Sequence, residues 1–98
     1  MNETGMPEVQ AGYFFRVKRW NYNQSKCSLT VQLRRRLRFL GSVKMSDSIS
    51  EHNSDAIYRA AVYCIERAAD AMRKHETIHE RDQFVGDYPP KVLNREDV

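Results

Sequence analysis

Residues 13–45 read YFFRVKRWNYNQSKCSLTVQLRRRLRFLGSVKM, and their apolar side chains recur at every second position. The odd-numbered set is Tyr13, Phe15, Val17, Cys27, Leu29, Val31, Leu33, Leu37, Phe39, Val43 and Met45. Successive side chains of a strand point to opposite faces of a sheet, so the odd positions are expected to face the core. The segment therefore predicts an antiparallel sheet with one buried face.

The number of strands depends on where this segment turns. Residues 21–26 have the composition of a turn, whereas neither Gly nor Pro marks a second turn near Arg35. Three antiparallel strands are the first interpretation, and a long, bent two-stranded hairpin is the second. The three strands would be Tyr13–Trp20, Cys27–Arg34 and Leu37–Lys44.

A helix is predicted after the sheet, to about His79. Residues 45–54 are rich in Ser and Asp and are expected to be a linker, in which Ser48-x-x-Glu51 matches a capping box and Asn53 or Ser54 matches a later cap. Apolar residues then recur at helical spacing. They are Ile57, Ala60, Ala61, Cys64, Ile65, Ala68, Ala71 and Met72, with Tyr58, Val62 and Ala69 widening the apolar arc.

The chain of 98 residues is expected to form one domain with one small core. Residues 1–11 are predicted to be a disordered arm, residues 12–80 a β-β-β-α domain, and residues 81–98 an extended tail that folds back onto the sheet or docks elsewhere. The predicted class is α+β: a small antiparallel sheet of two to three strands, backed by one long C-terminal helix, with flexible ends.

Positive charge is concentrated in the predicted sheet. Nine of the sixteen Lys and Arg residues lie between Arg16 and Lys44, where there is no Asp or Glu. This segment carries +9, and the rest of the chain, with seven bases and thirteen acids, carries −6. One sheet surface is therefore expected to attract phosphates or an acidic protein groove, the alternative being a solvated exterior.

The candidate binding residues follow from this charge pattern. They are Arg16, Lys18, Trp20, Tyr22, Arg34, Arg35, Arg36, Arg38 and Lys44. Trp20 and Tyr22 are candidates for stacking on bases or sugars, while the arginines hold phosphates. The run at residues 34–36 is either a basic turn with its arginines splayed to both sides or a site for phosphate or carboxylate groups.

The sequence His75-Glu76-Thr77-Ile78-His79 resembles the HExxH motif of the zincin metallopeptidases. On one continuous helix the two histidines would lie one turn apart and could hold zinc, with Glu76 as general base. The surrounding residues are highly polar, whereas a zincin helix needs this face buried under a substrate cleft. A solvated helix end is the preferred interpretation, and no metal or cofactor is expected.

Cysteine content and hydropathy indicate a cytoplasmic protein. Cys27 and Cys64 do not make a disulfide framework and are expected to be buried thiols. No early apolar run resembles a signal peptide, and none approaches the length of a membrane span, so no membrane partner is expected.

The predicted layout resembles the ethylene-response-factor and phage-integrase-arm types of DNA-binding domain. The stretch most similar to them is Phe39-Leu40-Gly41-Ser42 followed by the alanine-rich residues 56–69, although the linker at residues 45–53 is longer than in those domains. In them a three-stranded sheet lies in the major groove and a helix backs it. This resemblance implies DNA binding through the sheet.

The chain also resembles the anti-RecBCD accessory proteins of lambdoid phages, in its length, its basic core with flexible ends and its lack of a catalytic constellation. This resemblance implies a phage-encoded, non-enzymatic protein that binds a large host nuclease–helicase complex in the host cytoplasm and modulates it during recombination. That is the first functional expectation. Weakly specific DNA binding through the sheet is the second, and a minimal zinc peptidase is the third. The wide apolar arc of the helix is expected to meet a partner or to form a homodimer.

Overall fold

A computed structural model of the chain describes residues 6–23, 26–86 and 89–93, and only the backbone of residues 20–23, 26 and 27. It has a three-stranded antiparallel sheet followed by a long helix, which confirms the predicted α+β class. The elements are β1 (Tyr13–Asn23), β2 (Lys26–Arg36), β3 (Ser42–Glu51), α1 (Ser54–His75) and α2 (Ile78–Arg81). The central strand is β2. No helix within these ranges is long and apolar enough to cross a bilayer.

The inner face of the sheet carries the core, as the odd-numbered pattern predicted. Val31 and Leu33 on β2 are fully buried, and Phe15 on β1 packs against both clusters of the core. Burying each large aliphatic side chain contributes about 1.5–3 kcal/mol. Val17 is 41% exposed, because α1 packs across β3 and β2 and leaves this part of β1 uncovered.

The third strand begins and ends later than the predicted Leu37–Lys44, and it occupies most of the expected linker. β3 runs from Ser42 to Glu51, and residues 37–41 form the loop that precedes it. The linker prediction for residues 45–54 was wrong, and so was the capping box at Ser48-x-x-Glu51, because both of its residues lie in β3. Serines alternate with Asp47 and Ile49 in this segment, so neither set of alternate positions is consistently apolar. The alternation therefore did not predict a strand.

A bulge at Met45 reverses the facing of β3. Arg34 pairs with Lys44 but Leu33 pairs with Ser46, so Met45 is the extra residue on this strand. Even positions beyond the bulge then face α1, and the hydroxyl of Ser46 donates to the backbone carbonyl of Cys64 over 2.6 Å. Because serine side chains are small, they allow the alanine-rich helix to pack closely against this part of β3.

Helix α1 begins at one of its expected caps. The side chain of Asn53 accepts a hydrogen bond from the backbone N–H of Ala56 at 2.8 Å. Its buried residues are Ala60, Ala61, Cys64, Ile65, Ala68, Ala69 and Met72. Ala71, predicted on the buried face, is exposed, and the helix ends at His75 rather than near His79.

The described residues near both ends of the chain pack on the inner side of the sheet. Met6 and Val9, which fall in the segment expected to be a disordered arm, pack against the core, and Val9 forms a β-bridge with Val92. The described parts of the tail return to the sheet, where Phe84 forms a bridge with Leu37. The described parts of both ends therefore complete the core that one helix leaves partly open.

A buried cation joins these segments at the end of β2. Arg35 is fully buried, and its guanidinium donates hydrogen bonds to the carboxylate of Glu76 and to the backbone carbonyl of Gly86. The guanidinium also lies 4.4 Å from the ring centroid of Phe84 and 5.5 Å from that of Tyr13. One side chain thus connects β2 to the end of α1 and to the tail.

Two glycines allow the tail to cross the start of β1. Gly12 and Gly86 have φ angles of 98° and 84°. A Cβ atom at Gly12 would lie 2.5 Å from the carbonyl oxygen of Val85, and one at Gly86 would lie 2.8 Å from that of Ala11. Only glycine fits this crossing, which places the Gly86 carbonyl against Arg35.

We expect Arg35→Met to lower the free energy of unfolding by about 3 kcal/mol, because the Glu76 carboxylate and the Gly86 carbonyl lose their shared donor. Urea denaturation of the variant measures the loss. Arg36→Met, on the opposite face of the same strand, is the matched control and should stay near wild type. Equal stability of the two variants would show that the buried cation contributes little.

A second prediction concerns Cys64, whose thiol has a raised pKa because burial excludes water from the sulfur. The fold favours the neutral thiol, so its stabilisation is complete below the ordinary pKa of about 8.5 and is lost as pH rises toward the higher folded value. In a Cys27→Ser background, the unfolding free energy should fall more from about pH 8 to about pH 10 than in Cys27→Ser/Cys64→Ala. Parallel profiles would contradict this prediction.

Candidate binding surface on the outer face of the sheet

Five of the predicted binding residues share the outer face of the sheet, and we call them the basic face. They are Arg16 and Lys18 on β1, Arg34 and Arg36 on β2, and Lys44 on β3. Four of these residues are exposed, and Arg34 is half-buried. The strand register brings them together, since Arg16 is opposite Gln32 and Lys44 is opposite Arg34.

The guanidinium of Arg34 is held in place by its neighbours. Its Nε donates to the hydroxyl of Ser42 at 3.0 Å, one terminal nitrogen donates to the Ser42 carbonyl at 3.2 Å, and the other donates to the side chain of Gln32 at 3.2 Å. These three bonds use three of the five N–H donors of arginine. Two donors remain, and their directions are set before any ligand arrives.

Arg36 is positioned by an aromatic ring. Its guanidinium carbon lies 4.6 Å from the ring centroid of Phe14, which is also on the outer face. This cation–π contact holds the guanidinium beside the ring. Arg34 and Arg36 therefore present two fixed cationic groups, whereas Arg16 and Lys18 are exposed.

Two carboxylates interrupt the basic face, which the sequence did not predict. The Met45 bulge and the extended β3 bring Asp47 and Glu51 onto the outer face. Lys44 Nζ lies 2.8 Å from Asp47 Oδ2, and both side chains are about half exposed. Counting the described side chains of this face, five cations and two carboxylates leave +3, and the positive charge is strongest over β1 and β2.

The remaining candidate residues lie elsewhere. Arg35 is on the inner face, so the run at residues 34–36 is splayed to both sides of a strand, and its carboxylate ligand is the protein's own Glu76. Arg38 lies in the loop between β2 and β3, and its Nε donates to the Asp82 carbonyl at 3.1 Å. The side chains of Trp20 and Tyr22 lie outside the described residues.

The HExxH sequence does not form a continuous helix. Helix α1 ends at His75, and a separate short helix begins at Ile78 with Thr77 as its cap. Thr77 and Glu80 form a capping box, so the break is built from local hydrogen bonds. The one-turn spacing required of the two histidines is therefore lost, and Glu76 already binds Arg35.

A pocket of about 330 Å³ opens beside this break. Its lining includes His75, Glu76, Glu80 and Phe84. Among the residues that the structure describes, no group of three His, Cys, Asp or Glu side chains is placed to hold a metal ion. The pocket offers no arrangement that resembles the peptidase constellation.

The loop between β2 and β3 exposes two apolar side chains that sequence reasoning missed. Phe39 was predicted to face inward, but it is 94% exposed, and Leu40 is 87% exposed. The Leu37 N–H donates to the Gly41 carbonyl at 2.9 Å and closes a three-residue loop, in which odd and even positions no longer alternate. The positive φ of Gly41, 87°, marks this loop, and the glycine was its only sequence signal.

Comparisons with protein-family models, with curated proteins and with solved structures find no significant match to this chain. The resemblances to phage accessory proteins and to sheet-type DNA-binding domains therefore stay predictions.

Removing Asp47 should strengthen the basic face. We expect Asp47→Asn to elute from a heparin column at higher salt than wild type, because Lys44 loses its carboxylate partner and the face gains one net positive charge. Asp70→Asn is the matched control, since it frees Lys74 from a similar exposed pair on α1. Equal shifts for both variants would mean that only total charge matters.

Proposed function

We propose that this protein is a small, non-enzymatic binding protein of DNA metabolism that holds the phosphate backbone of DNA through the basic face. The observation that carries the proposal is the fixed geometry of Arg34 and Arg36. Both guanidinium groups are oriented by neighbouring side chains, and neither is paired with a carboxylate among the described residues. Preset forks of this kind suit phosphate oxygens.

The distribution of charge over the sheet also supports this proposal. Arg16, Lys18, Arg34 and Arg36 lie on the neighbouring strands β1 and β2, and no described carboxylate pairs with them, whereas the acids of this face lie on β3. Backbone contacts of this kind position a protein on DNA without reading sequence, so weak specificity is expected. A cytoplasmic location belongs to the same proposal.

The test is binding to duplex DNA over a series of salt concentrations. If Arg16, Lys18, Arg34 and Arg36 each neutralise one phosphate, log K should fall with log salt at a slope near about −3.6. Arg16→Ala/Lys18→Ala/Arg36→Ala should reduce the slope to about −1 and weaken binding on every sequence tested. Fluorescence anisotropy with labelled duplexes measures both quantities.

The matched control removes the same charge from the helix. Arg59→Ala/Arg73→Ala/Lys74→Ala changes three exposed cations on α1 and should leave the salt slope unchanged. If both triple variants lose affinity equally, the basic face has no special role. If wild type shows no salt-dependent binding, the proposal fails.

A second candidate function is binding to a host nuclease–helicase complex, the first expectation from the sequence. The observation that favours it is an exposed apolar pair beside the edge strand β3, where Ile49 is 68% exposed and Tyr63 is 51% exposed. Both residues line one open groove between β3 and α1. Affinity capture from a nuclease-treated bacterial lysate tests it: a retained nuclease–helicase that Ile49→Ser/Tyr63→Ser fails to capture would support this candidate over direct DNA binding.

A further inference from the structure

The tip of the β2–β3 loop is an unusual place for two large apolar side chains. Phe39 and Leu40 are the most exposed large apolar residues in the described part of the chain, at 94% and 87%. Leaving each in water forgoes about 1.5–3 kcal/mol relative to burial. Adjacent exposed apolar side chains form a patch, and exposed apolar patches mark interaction sites.

The loop holds these side chains outward. Its backbone is closed by the bond from Leu37 to Gly41, and the Arg38 N–H donates to the Gln83 carbonyl at 2.8 Å. The Val85 N–H, also from the tail, donates to the Arg36 carbonyl at 3.0 Å. The folded-back tail thus anchors the loop at its base. Phe39 and Leu40 are presented by a backbone that is already ordered, so insertion costs little conformational entropy.

Cations flank the tip at its base. Arg36 is the last basic-face residue of β2 before the loop, and Arg38 is exposed within the loop itself. A phosphate backbone bound at Arg36 is therefore close in sequence to the loop, whose tip is apolar. The part of DNA that accepts an apolar side chain is the stack of bases.

We propose that Phe39 and Leu40 form an apolar wedge that inserts between stacked base pairs of the DNA held by the basic face. This inference rests on the proposed function. Insertion partly unstacks the step and kinks the duplex, and the cost is a few kcal/mol per step. The cost is lowest at flexible pyrimidine–purine steps and at mismatches, so the wedge gives the protein a preference for such sites.

A lipid surface is a different partner for the same loop, and the geometry favours DNA. Two side chains bury too little apolar area to hold a protein stably on a bilayer without a second signal. Cations of the basic face would have to supply this second signal by binding lipid headgroups. Arg34 is held by hydrogen bonds and Arg36 by a cation–π contact, so neither is free to follow mobile headgroups. Fixed donors match phosphates at fixed positions along a duplex.

The experiment compares wild type with Phe39→Ala/Leu40→Ala on a duplex that carries 2-aminopurine at a central TA step and a fluorophore pair at its ends. Wild type should raise the 2-aminopurine fluorescence and shorten the end-to-end distance. The variant should produce neither signal, and its salt slope should equal that of wild type. Its preference for a mismatched duplex over a matched one should be about tenfold lower than that of wild type. Circular dichroism and urea denaturation should show an unchanged fold, because both side chains are exposed.

Ile78→Ala is the matched control, since Ile78 is 72% exposed and lies on α2. The control should behave like wild type. If wild type binds with the expected salt slope but produces no unstacking, the wedge is overturned while the basic face stands. If no salt-dependent binding occurs at all, the proposed function fails first. If the loop variant loses only binding to anionic phosphatidylserine vesicles, the wedge is likewise overturned, and the loop is a membrane contact.

Discussion

The buried guanidinium of Arg35 is the interaction on which the arrangement of this protein depends. A charge removed from water must be matched by partners, and here a carboxylate at the end of α1 and a carbonyl of the tail supply them. Two aromatic rings close the remaining sides. Because these partners come from segments far apart in the chain, one cation brings the helix end and the tail to the same corner of the sheet.

The same residue explains why the proposed binding face has its present form. Neighbouring side chains of a strand point to opposite faces, so an inward Arg35 requires Arg34 and Arg36 to point outward. Three consecutive arginines thus serve two purposes: the middle one closes the core and the outer two face solvent beside Phe14, Ser42 and Gln32. The tail, whose Gly86 carbonyl binds Arg35, also forms hydrogen bonds with the base of the loop that carries Phe39.

The sequence was sufficient for the features that follow from strict periodicity. Alternation predicted the inward side of β1 and β2, and helical spacing predicted α1, with Asn53 among the candidate caps. It failed where local geometry breaks the period. The bulge at Met45 moved Asp47 onto a face expected to be free of acids, and the closed loop turned Phe39 outward.

The interior role of Arg35 could not be predicted for a different reason. Its partners lie 41 and 51 positions away, and pairing over such distances leaves no local pattern. The sequence signal for a buried Arg35 was its odd number, because the alternation places apolar residues at odd positions. The outward arginines were predicted correctly since their facing depends only on neighbouring residues.

The bridge between Val9 and Val92 joins two segments that the ribosome synthesises at different times. Until Glu76 has been synthesised, Arg35 has no carboxylate partner and its guanidinium stays hydrated. The sheet and the helix can therefore approach each other, but the core around Arg35 cannot close. Closure waits until Gly86 and Val92 have also been synthesised, because they supply the contacts to Arg35 and Val9. Vectorial synthesis therefore delays native packing of the core until the segment around Val92 has left the ribosome.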